Sequence, residues 1–294
     1  MKPVSSLVIL AGGASSRMKR EATAKQGLSE EDIKQANERS KGLIGVGNGG
    51  RPMLDYVLYN AKKAGYTQIY IVVGENSDLF REFYGSRNKG NDFHGMEVNF
   101  AVQHVPKERT KPYGTADALY QAVEQYPELN QQRYSVCNSD NLYSVAVFRS
   151  LREVETPNAF VAYDRSAMDF PEERIARFAL AKLDDGGYLV DIIEKPQADQ
   201  VDAYRDPEGK LRVSMNVFTF DGVKMYPYLK ECPVHPVRDE KELPTALLNM
   251  LDTFPRSVEG IPFSEHVPDL TAKDDIVDVK RYLEAHYSDL DWNP

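Results

Sequence analysis

A doubly wound α/β fold, mostly parallel with antiparallel additions in the second half, is predicted by three observations. Apolar runs alternate with amphipathic helical stretches along the first half of the chain. Several of those runs stop at glycine or at a polar cluster, as buried strands do at the carboxyl edge of a parallel sheet. In the second half, two short apolar runs at 178–196 flank an Asp-Gly-Gly turn and read as a hairpin. The 294 residues contain no internal repeat, low-complexity tract or linker, so one domain over 1–294 is expected, with halves near 1–145 and 146–294.

The elements follow in order. Val4 and Leu7 to Leu10 form a strand buried on both faces, which breaks into Gly12 and Gly13. Lacking a Cβ, these glycines are expected to take positive φ and to bring amide groups close to an anion. From Lys19 to Ser40 the chain is polar and helix-prone, with Ser29 as N-cap. Only Leu28, Ile33 and Ala36 could pack, so a loosely docked flap is expected. Pro52 opens an amphipathic helix carrying Leu54, Val57, Leu58 and Ala61. Strands follow at 67–73 and 96–103, the first leading into a helix capped by Asn76 or Ser77, the second into a helix after Gly114. Further strands are read at 133–138, 158–164 and 211–221, helices at 240–252 and 274–287, then an exposed tail.

Composition narrows the function. A formal charge of -9 without a long basic cluster argues against nucleic acid as partner. No window approaches the roughly 20 apolar residues of a membrane helix. The opening run is short for a secretion signal, and two cysteines, Cys137 and Cys232, supply no disulfide framework, so a cytoplasmic protein is expected.

Chemistry concentrates at the ends of the apolar runs, where ligands of such sheets bind. Arg17 follows the paired glycines closely enough to fold a forked donor over the same anion. Asp140, in NSDN at a strand end, is a carboxylate that needs a partner, and an Asx turn or a metal ion would each supply one. The stretch LAGGASSRM (Leu10 to Met18) resembles the amino-terminal signature of the sugar-phosphate nucleotidyltransferases, and its SSRM ending is shared with relatives that act on other phosphates. The resemblance implies a Rossmann-like, three-layer sheet of the GT-A-like kind. It also implies nucleotide binding by Leu10, Ala11, Gly12 and Gly13. Arg17 and Lys41 would be the catalytic cations. The gap from Arg17 to Lys41 is about twice the family's, so Lys19 and Lys25 are rivals for that place.

Carried along the chain, the resemblance implies that Gly114 and Thr115 in PYGTADAL sit beside the base, with Gln103 reading its edge and favouring a pyrimidine. Glu194 and Lys195 in IIEKP, with Asn216 in VSMN, would hold the sugar and its phosphate. Asp140 and Asp269 would hold Mg²⁺. The implied reaction joins a nucleoside triphosphate to a sugar 1-phosphate and releases pyrophosphate, in a protein that is free of nucleic acid and membrane and compatible with a homo-oligomer. Two alternatives stand beside it: transfer to a non-sugar phosphate, and a nucleotide-binding regulatory protein without turnover. A glycosyltransferase is disfavoured because NSDN is not an Asp-x-Asp motif.

Overall fold

The structure is a computed structural model and describes residues 1–22 and 27–293. The first half holds β1 (Ser6–Leu10), α1 (Glu30–Glu38), α2 (Met53–Ala64), β2 (Gln68–Val73), α3 (Asp78–Tyr84), β3 (Asn91–Phe93), β4 (Met96–Val102), α4 (Thr115–Gln125) and β5 (Arg133–Asn138). After it come α5 (Val145–Glu153), β6 (Asn158–Asp164), α6 (Glu172–Ile175), β7 (Leu180–Leu183), β8 (Leu189–Ile193), β9 (Arg212–Val213), β10 (Phe218–Asp221), α7 (Gly222–Lys230), α8 (Leu243–Thr253), β11 (Val258–Phe263) and α9 (Asp275–His286).

All strands share one sheet in the order β3-β4-β2-β1-β5-β10-β6-β9-β7-β8, with β11 beside β6. The neighbours β4, β2, β1 and β5 are parallel. β10 runs antiparallel between β5 and β6, so β6 points the same way as β5. This is the doubly wound, mostly parallel sheet with antiparallel additions that the sequence predicts.

The apolar run of β1 lies at the centre because both faces are covered. Leu7 and Ile9 join a core with Leu54, Val57 and Phe148, while Val8 joins a second core with Leu119, Met225 and Leu247. Alternate residues of one strand thus feed two cores, which defines three layers. α2 starts after Pro52 and ends at Gly65, whose left-handed φ of 99° closes the last turn.

Four expectations need correcting. The 211–221 segment is two short strands, because the chain turns at Asn216 with φ 54° and moves from pairing at the end of β6 to pairing at its start. Ser77 occupies the N-cap of α3, yet its side chain makes no capping bond. α1 is docked, not loose. Its seat mixes apolar and polar contacts: Ala36 is fully buried in the first core, Asp32 is buried and bonded to Lys280 at 2.6 and 2.8 Å, and the Gln35 side chain accepts from the Gly45 N–H at 2.8 Å. The tail is exposed at Ser288, Asp289, Asp291 and Asn293 as expected, but it is pinned at Trp292, which stacks on His94 at 4.0 Å between ring centres and lies edge-on to Phe93.

Candidate active site

The loop after β1 is held on the end of β2, since the Ala11 N–H donates to the Val72 carbonyl at 2.8 Å. A Cβ at Gly12 would lie 3.2 Å from the Val73 carbonyl carbon and 3.3 Å from the Gly74 nitrogen. Glycine therefore lets the loop lie this close without displacing the end of β2. A Cβ at Gly13 would meet open space. Neither glycine takes the left-handed conformation expected of it; Ser15 does, at φ 53°. Met18 is fully buried and anchors the loop, whereas Arg17 is exposed and has no hydrogen bond or ion pair from its side chain among the described residues.

Leu10 and Ser139 bring two strand ends together, the Ser139 N–H donating to the Leu10 carbonyl at 3.1 Å. Asp140 follows. Its Oδ2 accepts from Lys41 Nζ at 2.7 Å, in a pair whose side chains are 15% (Lys41) and 18% (Asp140) exposed. Gly42 lets the turn lie close against Ser139, because a Cβ there would sit 3.0 to 3.1 Å from three of its atoms. Lys19 is exposed, and Lys25 lies outside the described residues.

Asp269 is brought to the same turn by backbone pairing. Asn141 and Asp269 form an isolated antiparallel bridge, the Leu270 N–H donates to the Asp140 carbonyl at 2.9 Å, and the Leu142 N–H donates to the Pro268 carbonyl at 2.9 Å. Oδ2 of Asp269 accepts from Arg174 at 2.6 Å and from the Thr271 hydroxyl at 2.7 Å. Arg174 also pairs with Asp275. Burial disfavours the Arg174 charge, but the two carboxylates outweigh it and raise its proton affinity above the ordinary guanidinium value.

Gln103 is buried at the end of β4, its amide nitrogen donating to the Gly114 carbonyl at 3.1 Å and to Asp117 at 2.9 Å. The amide oxygen faces the Gly12 backbone, 3.4 Å from where a Cβ would be. Gly114 has φ 99°, and a Cβ there would lie 2.7 Å from the Lys241 carbonyl oxygen. Its bare backbone thus faces the chain itself. Thr115 accepts the Leu243 N–H on its hydroxyl at 3.0 Å.

Glu194 is exposed and pairs at 3.3 Å with Arg238, which also pairs with Glu242. Lys195 is exposed in a left-handed conformation at φ 50°, with no ion pair among the described residues. Asn216 is brought towards β5 by Tyr143, whose hydroxyl donates to the Met215 carbonyl at 2.6 Å and accepts from the Asn138 N–H at 3.4 Å.

Two assemblies result. One joins Leu10, Lys41, Asp140 and Asp269; the other joins Gly12, Gln103, Gly114 and Thr115, and Gly12 lies two residues past Leu10. Arg17 and Lys195 are joined to neither by a side-chain bond among the described residues. Sequence reading missed Gly42, Arg174 and Arg238. Glycine next to Lys41 was a readable signal for close packing. The two arginines sit in polar stretches, PEERIARF and PVRDEKE, that carry no pattern of their own.

A family model described as nucleotidyl transferase matches residues 32–290. The chain is 27% identical over 200 residues to the glucose-1-phosphate adenylyltransferase small subunit, chloroplastic/amyloplastic, of Triticum aestivum, a match covering 67% of this chain and 39% of the wheat protein. It therefore spans about two fifths of that relative's length. Among solved structures it resembles a UDP-glucose pyrophosphorylase complexed with UDP-glucose, with a TM-score of 0.69 at 11% identity, over 96% of this chain and 99% of the other. At that identity the likeness is one of fold.

Proposed function

The chain belongs to the nucleotidyl transferase family, and from that premise we propose that it joins a nucleoside triphosphate to a sugar 1-phosphate, giving a nucleoside-diphosphate sugar and pyrophosphate. The observation that carries this reading is the Lys41–Asp140 pair, set beside Asp269 at the carboxyl ends of β1 and β5. In a parallel sheet that edge is where ligands bind. The names of both the wheat relative and the solved neighbour point to sugar nucleotides, which supports the substrate class.

Asp140 and Asp269 suit Mg²⁺, which takes hard oxygen donors and commonly binds through one or two carboxylates plus substrate phosphates. Both ion pairs use Oδ2, and among the described residues no hydrogen bond engages Oδ1 of either aspartate. When bound, Mg²⁺ would neutralise phosphate charge.

The attacking oxygen of a sugar 1-phosphate is already ionised, so no enzymic nucleophile is required. The obstacle is charge: two unit charges 4 Å apart repel by about 4 kcal/mol at an effective dielectric near 20. Lys41 offsets that repulsion from a fixed position, and the exposed Arg17 and Lys195 add further positive charge. Holding the reacting groups in line can supply roughly 7–11 kcal/mol. Gln103 holds the Gly114 turn through its amide nitrogen, leaving its oxygen towards the Gly12 loop. Glu194 and Asn216 are assigned to the sugar by the same reading. Both cysteines are free and buried, which suits the reducing cytoplasm.

The test is pyrophosphate release with Mg²⁺ over a panel of triphosphates and sugar 1-phosphates. Release with at least one pair is expected. Nucleotide binding without release from any pair would overturn the enzyme in favour of a binding protein, and release with a non-sugar phosphate alone would move the substrate class.

A further inference from the structure

At the carboxyl end of β6 lies a cavity of about 350 Å³ lined by Arg165, Ser166, Arg205 and Lys210, with Met168, Ile175 and Leu211 as its apolar wall. Asp164 is the acidic residue among its lining groups, so the lining carries a surplus of positive charge. None of the residues assigned above to nucleotide, sugar or metal lines it.

The frame around these cations is well built. Asp164 caps the Arg165–Ala167 turn, accepting from the Ser166 N–H at 3.0 Å and its hydroxyl at 2.6 Å. Across the cavity, Asp206 organises the 205–211 loop by accepting from the N–H groups of Glu208 at 3.0 Å and Lys210 at 2.8 Å. The same carboxylate is tied to buried Arg212 at 2.7 Å. The Arg165 N–H donates to the Leu211 carbonyl at 2.9 Å and closes the frame.

Within it the charges are poorly matched. Lys210 pairs with Asp164 at 3.3 Å and loosely with exposed Glu208 at 3.8 Å, and Arg205 pairs with Asp202, whose side chain is 85% exposed. The Glu208 and Asp202 pairs are solvated and weak, which leaves Asp164, its side chain 8% exposed, facing three cations. Arg165 is half-buried and has no side-chain hydrogen bond or ion pair among the described residues. Burial and then the facing Arg205 charge both lower its proton affinity. Two guanidinium groups that share one cavity are stabilised when an anion bridges them, and their fork geometry matches phosphate oxygens.

We propose that this cavity binds a phosphate monoester of about the size of a sugar phosphate, through Arg165, Arg205 and Lys210, at a site separate from the Lys41–Asp140 centre. The phosphate sits between the guanidinium groups and the carbon body lies on Met168, Ile175 and Leu211.

Calorimetric titration of the full chain with glucose 6-phosphate tests this, with inorganic phosphate as the probe of the anion contact alone. Wild type is expected to bind glucose 6-phosphate. Arg165→Gln and Arg205→Gln should each weaken binding by about tenfold or more, with melting temperature and pyrophosphate release unchanged, and Lys41→Met should bind as wild type does. No binding to wild type up to about 10 mM, undiminished binding in both arginine variants, or loss in Lys41→Met instead would each overturn the proposal. Pyrophosphate release is read separately, so a failure of the proposed activity is distinguishable from a failure here.

Discussion

Lys41 meets Asp140 at 2.7 Å from a 3₁₀ turn packed on the Asp140 loop, whereas Arg17 stands exposed in the preceding loop with no side-chain partner among the described residues. The difference lies in what holds each cation. Lys41 is carried by a segment that Gln35 grips through Gly45 and that Gly42 lets lie on Ser139. Arg17 is held only through its backbone, with the Arg20 N–H donating to its carbonyl at 3.2 Å and buried Met18 beside it. A charge fixed before substrate arrives costs no reorganisation during reaction, so Lys41 should act on the chemical step and Arg17 on binding.

That contrast can be broken at four points. Lys41→Met is expected to lower kcat by about 10²–10³-fold, measured as pyrophosphate release at saturating substrates; a change confined to KM would erase the contrast. Arg174→Met leaves Asp269 and Asp275 without their shared cation. It should cost about 2–3 kcal/mol in denaturant unfolding, at or below the usual loss for a broken buried pair because Arg174 is 23% exposed. Unchanged stability would mean that Arg174 does not hold Asp269.

Arg17→Gln should raise KM for the triphosphate by about tenfold while leaving kcat nearly unchanged, and an equal fall in kcat and kcat/KM would place Arg17 in the chemical step. The smallest effect concerns the frame under Lys41. Burial alone would raise the Asp32 carboxyl, but hydrogen bonds from Lys280 and Ser29 hold it below its ordinary 3.8. Its stabilisation is therefore present above pH 3.8 and is lost as pH falls through the lower folded-state value. Wild type should be more stable than Asp32→Asn by about 1 kcal/mol near neutral pH, and the two melting curves should converge under acid; a constant gap would contradict this.

Much of this was legible in the sequence, and particular residues show why the rest was not. β1 could be read because Leu7, Val8 and Ile9 feed two cores at once, which leaves an unbroken apolar run. β11 was missed because Gly260 and Pro262 interrupt its pattern; it pairs with β6 all the same, and a Cβ at Gly260 would lie 2.8 Å from Leu183. The docking of α1 was hidden because Asp32 and Gln35 add to the small apolar contact of Ala36, and periodicity scores only apolar residues.

At the site, Lys41 and Asp140 could be picked out, but their 2.7 Å contact spans 99 residues of chain and has no local signature. Gly114 could be read as a residue needed bare. What it faces, the Lys241 carbonyl, depends on tertiary packing.

The central claim is that Lys41 and Asp140 act as one unit in the chemical step. A double-mutant cycle on kcat for pyrophosphate release, using Lys41→Met, Asp140→Asn and the pair combined, tests it most directly. The account predicts that the double variant is no slower than the worse single variant, as groups acting together are strongly non-additive. Losses that multiply independently would contradict it.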